Sequence, residues 1–204
     1  MKKETISTII LISYIFLFSA LTYIYLLSSD QYWVDGLTAV GCCLFFLIVH
    51  YRFLVHPFIA FLEGLLLVPN QLGFAFLYNL KSINYHGDWF IHFTTAMLAA
   101  IVLMYYVRRI RCIRDHVITI AILSFALTVT GGSIVELAEY WGFIIFGFGN
   151  SYLAFGVGDN SLNFGPWENS SLDVSFNFLG ALLGIAIYFL YLKYLTPRPG
   201  FEPG

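Results

Sequence analysis

The amino-acid sequence predicts an all-α protein: a polytopic membrane helix bundle of about six transmembrane helices with both termini in the cytoplasm. Hydrophobic residues make up 59% of the 204-residue chain and charged residues only 11%, and the mean hydropathy is +0.80. One soluble core cannot bury apolar surface in this proportion, so lipid must solvate it. Several apolar stretches approach the roughly 20 residues that a helix needs to cross a bilayer.

The spans follow from these stretches in chain order. The chain starts with MKKETIS, which is similar to the n-region of a signal peptide, but the apolar run that follows is too long for one, so residues 6–27 are taken as the first span. Pro69 should kink the third span. The fifth is long and should be tilted, or broken at Gly131-Gly132. Residues 1–195 then form a single transmembrane domain, followed by a short polar tail, 196–204. The predicted spans cover residues 6–27, 34–55, 58–80, 89–107, 117–146 and 172–195.

The distribution of basic residues predicts the orientation, because Lys and Arg are retained on the cytoplasmic side of short loops. With six spans and both termini inside, only Lys81 of the ten basic residues lies outside. All four tryptophans then fall at the outer boundary, where an indole ring can anchor to the interface. The sequence therefore predicts a multi-pass protein of the cell membrane. The tryptophans are Trp33, Trp89, Trp141 and Trp167.

Three pairs of polar residues stand at helical spacing inside otherwise apolar segments. Residues three or four apart share one face of a helix. The fourth span enters from outside, the fifth leaves and the sixth enters again, so all three pairs should meet near the outer leaflet. The pairs are Asp88 with His92, Glu136 with Glu139, and Asp173 with Asn177.

Each pair also has a purely structural interpretation. Asp88 and Asp173 could cap the starts of their helices, and His92 could satisfy a hydrogen bond inside the bundle. Glu136 and Glu139 could form a protonated, hydrogen-bonded pair, because neither can stay charged and unpaired in hydrocarbon.

Taken jointly, the six groups have two chemical interpretations. The first is a divalent-metal site, with Mg²⁺ or Mn²⁺ favoured by oxygen ligands and Zn²⁺ by the histidine. The second is general acid–base catalysis by the glutamates and His92. The loop 147–171 could cover such a site. The metal-ligand candidates are Asp88, His92, Glu136, Glu139 and Asp173, and the substrate-binding candidates are Asn177, Trp89, Trp141 and Glu168.

The three motifs carry a family resemblance. Asp88-x-x-x-His92-Phe93, Glu136-x-x-Glu139-Tyr140 and Asp173-x-x-x-Asn177-x-x-Gly180, in this order on consecutive late spans, resemble the VanZ-like superfamily and the related YjdF-type integral membrane proteins. Residues 88–184 carry the likeness, and a glutamate at position 139 is closer to the YjdF-type pattern. The resemblance implies a bacterial membrane family, some of whose members are associated with glycopeptide-antibiotic resistance.

Three functional hypotheses follow. The first is an outer-leaflet membrane enzyme, a metal-dependent hydrolase or transferase acting on a lipid or lipid-linked envelope substrate. The second is a proton- or cation-coupled transporter in which a path links the outer site to Glu63 and Asn70, although Glu63 could instead pair with Arg52 or His56. The third is a non-catalytic membrane protein with a structural polar network. The expected partners are the bilayer and such a substrate, and no nucleic acid is expected.

Overall fold

The structure, a computed structural model, describes residues 2–27, 33–72, 84–110, 112–146 and 166–195. Every regular element within these ranges is a helix, which confirms the predicted all-α membrane bundle. The helices are α1 (Lys3–Leu27), α2 (Trp33–Phe53), α3 (Pro57–Leu65), α4 (Val68–Leu72), α5 (Asn84–Val107), α6 (Val117–Phe146) and α7 (Pro166–Leu195).

Five helices in the described part of the chain are long and apolar enough to cross a membrane, judged by length and composition. They carry the first, second, fourth, fifth and sixth predicted spans. Helix α6 continues through Gly131-Gly132 without a break. Of the two alternatives predicted for this span, a tilt or a break, the structure therefore excludes the break. The helix has 30 residues and is about 45 Å long.

The third predicted span is divided. Helix α3 ends at Leu65, Leu66 and Leu67 form a turn, and α4 begins at Val68. Pro69 explains the position of the break, because a proline ring clashes with the carbonyl four residues earlier and its nitrogen donates no hydrogen bond. That carbonyl belongs to Leu65, the last residue of α3. The remainder of the predicted span, residues 73–80, lies outside the described residues.

The C-terminal helices are tightly packed. Gly180 of α7 lies against the backbone of Phe93 in α5, and Gly184 lies against the backbone of Met97. Positions 93 and 97 thus pair with 180 and 184 in increasing order, so α5 and α7 are parallel. Small residues four positions apart on one helix permit this close approach of two backbones.

Helix α6 runs antiparallel to this pair. Its early residue Ile120 packs with Met104 and Val107 near the end of α5, and with Tyr188 of α7. We call this end, where α5 and α7 finish beside Arg108, the basic end. The opposite end, where α5 and α7 begin and α6 finishes, is called the polar end, and the distribution of basic residues predicts that it faces outward.

A second group of helices packs against α5. Helix α1 packs on α2 and α3, and α3 in turn contacts α5. Val55, Ile59 and Leu62 form a buried apolar cluster with Leu98 and Val102 of α5. The two groups of helices are therefore joined mainly through α3.

The junction between α2 and α3 contains a backbone constraint. Leu54 has a φ of 49°, in the left-handed region that disfavours residues with a Cβ. Its N–H donates to the carbonyl of His50 at 2.8 Å, which closes the last turn of α2. The Arg109 guanidinium donates to the carbonyl of Phe53 and to the Tyr105 hydroxyl, and so holds this turn against α5.

Replacing Leu54 by glycine is expected to stabilise the protein. A residue with a Cβ in the left-handed region loses about 1–2 kcal/mol of stability, and glycine avoids this loss. Glycine also increases the conformational entropy of the unfolded chain, which offsets part of the gain, so the net stabilisation should be about 0.5–1 kcal/mol. Leu44→Gly is the matched control, because Leu44 is a similarly exposed leucine inside α2. There glycine should cost about 1 kcal/mol. Thermal melting in detergent measures both, and an equal loss in the two variants would contradict the strain argument.

Candidate functional site

The site begins on the first turns of α5. Asp88 and His92 lie one turn apart, and His92 Nε2 is 3.5 Å from Asp88 Oδ1. Asp88 is buried although it lies near a helix start. Helix α5 begins at Asn84, so Asp88 is inside the helix and does not cap it. The capping interpretation of Asp88 is therefore wrong.

Helix α7 contributes a second buried carboxylate. It begins at Pro166, so Asp173 is also too far inside its helix to be a cap. The Asn169 side chain, one turn earlier, donates from Nδ2 to Asp173 Oδ2 at 2.9 Å. One turn later, Asn177 Nδ2 lies 3.4 Å from His92 Nδ1. Asp173, Asn169 and Asn177 are all buried, which shows that this polar stripe of α7 faces protein and not lipid.

Helix α6 brings in Glu136 from the other side of His92. Glu136 is only 2% exposed, and its Oε1 lies 3.3 Å from His92 Nδ1. Neither of its carboxylate oxygens accepts a hydrogen bond from any side chain or backbone group in the described ranges. Gly132, one turn earlier on α6, gives room for Asn177, which a Cβ at that position would overlap. Glu136 is thus a buried carboxylate directed at the imidazole.

Three residues of the site form a group that could hold a metal ion. Asp88, His92 and Asp173 each offer one ligand atom, and these atoms all lie within 4.8 Å of one another. Ligands around a divalent cation bind at about 2.0–2.5 Å from it, so two of them are at most about 4–5 Å apart. Two carboxylates and an imidazole are a donor set that suits Mn²⁺, Mg²⁺ or Zn²⁺. The residues therefore fit a divalent cation.

The remaining predicted site residues are more peripheral. Glu139 is partly exposed and does not belong to the three-residue ligand group, and Glu168 is exposed. Trp89 stacks on Phe176 across α5 and α7, with ring centroids 5.1 Å apart. Trp141 is 57% exposed and packs edge-on against Tyr140. The structure thus brings together five of the predicted residues, namely Asp88, His92, Glu136, Asp173 and Asn177.

Sequence reasoning missed Asn169 as a member of the site. It precedes the apolar stretch that defines the sixth span, so hydropathy assigned it to the preceding loop. The spacing of four residues to Asp173 would have identified it, had the helix been started at Pro166. The next residue, Ser170, is also buried.

Among the described residues, the charged groups that surround His92 are all carboxylates. Asp88, Glu136 and Asp173 converge on a single imidazole, that of His92. The described lysines and arginines all lie elsewhere: at the basic end, at the start of α1 or at the end of α2. Such a site attracts cations and repels unaccompanied anions.

The comparisons with known proteins agree with a membrane bundle. A family described as predicted membrane protein (DUF2238) matches residues 6–194, nearly the whole chain. No curated protein and no solved structure matches the chain.

Proposed function

Because the chain belongs to the DUF2238 family of predicted membrane proteins, we propose a function carried out inside the bilayer: a metal-dependent hydrolase or transferase acting on a lipid or lipid-linked envelope substrate. The observation that carries the proposal is the convergence of Asp88, His92 and Asp173 on one point, with Glu136 buried behind the imidazole. The cell membrane, with the polar end outward, is the location that the basic residues favour.

Each residue has a role in this proposal. Asp88 and Asp173 supply oxygen ligands, and His92 supplies nitrogen. Glu136 Oε1 faces His92 Nδ1 at 3.3 Å and would accept a hydrogen bond from that nitrogen once the Asn177 amide nitrogen, 3.4 Å from the same atom, turns away. This tautomer would leave Nε2 to the metal near Asp88. A bound divalent cation supplies a Lewis acid that polarises a phosphoryl or carbonyl oxygen. Glu139, nearer the polar end, would exchange protons with the reacting groups.

The substrate class follows from charge and position. The site lies inside helices that are solvated by lipid, so its substrate must reach it from the bilayer or its surface. A phosphate-bearing substrate would be repelled by three carboxylates unless a cation neutralised them first. The likeness of the three motifs to VanZ-like and YjdF-type proteins also favours an envelope substrate.

The transporter hypothesis has less support. A path from His92 to Glu63 would follow α5 toward the basic end. There, Leu98 and Val102 are buried in the apolar cluster with α3. A conducting path needs polar groups or water at that depth, so the described arrangement favours a site closed toward the basic end.

Metal binding tests the proposal. Purified protein stripped with a chelator and titrated with Mn²⁺, Mg²⁺ or Zn²⁺ is expected to take up one equivalent, measured by elemental analysis and calorimetry. Asp173→Asn should weaken binding by more than about 100-fold, because the loss of an outer-shell partner alone costs about 10–100-fold. Glu168→Gln is the matched control: it removes an exposed carboxylate from the same helix and should leave affinity unchanged.

Two outcomes would overturn the proposal. One is a folded wild-type protein that binds none of the three ions. The other is unchanged affinity in a folded Asp173→Asn variant, which would place the ion elsewhere. Thermal melting of each variant separates lost binding from lost folding.

A further inference from the structure

A second buried carboxyl group lies far from the candidate metal site. Glu63 of α3 is 0% exposed. It is six residues from the start of α3 at Pro57, or about 9 Å along the helix axis. Its partner Tyr106 is 14 residues beyond His92 on α5, or about 21 Å. Glu63 therefore belongs to the half of the bundle nearer the basic end.

The groups around Glu63 come from three other helices. The Tyr106 hydroxyl of α5 donates to Glu63 Oε1. Tyr14 of α1 covers the adjacent Gly64, where a Cβ would collide with its ring. The buried Cys43 thiol of α2 also lies near Glu63. Each of these facing groups is neutral in its ordinary protonation state.

No cation balances this carboxyl group among the residues that the structure describes. The predicted partners, Arg52 and His56, are both exposed. His56 Nδ1 instead accepts a hydrogen bond from the N–H of Phe58 at 3.3 Å, which caps α3. The predicted ion pair of Glu63 with either residue is therefore wrong. The second carboxyl oxygen of Glu63, Oε2, has no hydrogen-bond partner in the described ranges.

An ionised carboxylate in this position would be costly. Removal of a carboxylate from water without a counter-charge costs several kcal/mol, and an oxygen without a donor adds about 1–3 kcal/mol. A proton on Oε2 removes the charge and keeps the Tyr106 hydrogen bond to Oε1. We propose that Glu63 and Tyr106 form a proton-binding site in the basic half of the bundle, with the bound proton on Glu63 Oε2.

Tyr106 also defines the route by which the proton exchanges. It is the second-last residue of α5, is partly exposed, and packs edge-on against Phe53 of α2, with centroids 6.1 Å apart. Tyr106 thus connects the buried Glu63 carboxyl group to a partly exposed position near the end of α5. In the other direction, the cluster containing Leu98 and Val102 separates Glu63 from the metal-site candidates. The site therefore exchanges protons with the basic end and stands independently of the proposed metal chemistry.

Infrared spectroscopy of the reconstituted full-length protein tests this proposal. The wild-type minus Glu63→Gln difference spectrum is expected to contain one carboxylic-acid C=O band, which shifts in D₂O. Tyr106→Phe should retain the band but move it to higher frequency, because the C=O group loses its hydrogen bond. Glu4→Gln is the control, since it removes an exposed carboxylate at the start of α1 and should leave the band in place.

The contrary result is a carboxylate stretch, rather than an acid band, that disappears in Glu63→Gln. If that stretch moved with Na⁺ or K⁺, a metal cation and not a proton would occupy the site. Gln is a neutral isostere of the acid, so the variant should fold. The Tyr106→Phe shift in a chain that retains Glu63 is a second, separate criterion, and an unshifted band would exclude the proposed hydrogen bond.

Discussion

Gly180→Ala is expected to destabilise the protein by about 3 kcal/mol, at the upper end of the usual cost of overpacking. A Cβ at Gly180 would overlap the backbone carbonyl of Phe93. Backbone atoms of a packed helix cannot move aside as a flexible side chain can, so α5 and α7 would have to separate. For a chain of this length the loss corresponds to roughly 6–12 °C in melting temperature.

The same substitution should also disrupt the candidate site. Phe93 directly follows His92, so a displacement of α5 at this point changes the separation of His92 from Asp173 on α7. Divalent-cation binding should therefore fall together with stability, even at temperatures where the variant is folded. Calorimetric titration well below the melting temperature measures this effect.

Gly131→Ala provides the control. A Cβ there meets nothing within 4 Å, and the residue lies in the interior of α6. Alanine should stabilise the helix by as much as about 1 kcal/mol. The two glycine-to-alanine substitutions are therefore expected to change the stability of the protein in opposite directions. If Gly180→Ala were tolerated as well as Gly131→Ala, the close contact between α5 and α7 would be contradicted.

Hydropathy predicted the fold class because lipid permits few alternatives. A segment that crosses hydrocarbon must satisfy its own backbone hydrogen bonds and expose apolar side chains, so long apolar runs become helices. In the third span hydropathy predicted one continuous segment, and the interruption was indicated only by Pro69, which was expected to kink it. The helix ends at Leu65, as the geometry of Pro69 requires, although the apolar character of the sequence continues past this residue.

Helical spacing predicted which side chains share a face, and it placed His92 beside Asp88 correctly. Helix starts were harder to predict. Asn169 and Asp173 are polar residues buried by protein, and hydropathy cannot distinguish them from polar residues in a loop. The partner of Glu63 was missed because charge alone favoured Arg52. In the folded chain Arg52 is exposed, and the phenol of Tyr106 is within hydrogen-bond reach instead.

The pairing of His92 with Glu136 yields the second large expected effect. His92 lies between carboxylates from three helices, and its imidazole is the group that separates them. His92→Gln should cost the metal-free protein about 3 kcal/mol, the lower end of the cost of breaking a buried charged pair. Glu136→Gln alone should cost much less, because it removes a buried charge that accepts no hydrogen bond.

The double variant is the more informative measurement. With Glu136 neutral, the loss of His92 leaves one fewer carboxylate without a partner, so the double variant should recover part of the stability lost in His92→Gln. The expected coupling is about 1–3 kcal/mol, as for residues in direct contact. Glu168→Gln combined with His92→Gln is the control, because Glu168 is exposed and its effect should add independently. Thermal melting in the presence of a chelator measures all the variants.

This cycle also separates the metal-site proposal from a purely structural network. If the carboxylates exist to bind a cation, saturating Mn²⁺ should stabilise the wild-type protein and reduce the measured coupling, because the ion takes over the separation of Asp88 and Asp173. In a structural network Mn²⁺ changes neither quantity. Strong coupling that is indifferent to Mn²⁺, Mg²⁺ and Zn²⁺ would therefore assign His92 and Glu136 to holding the three helices together, and the proposed metal chemistry would have to be abandoned.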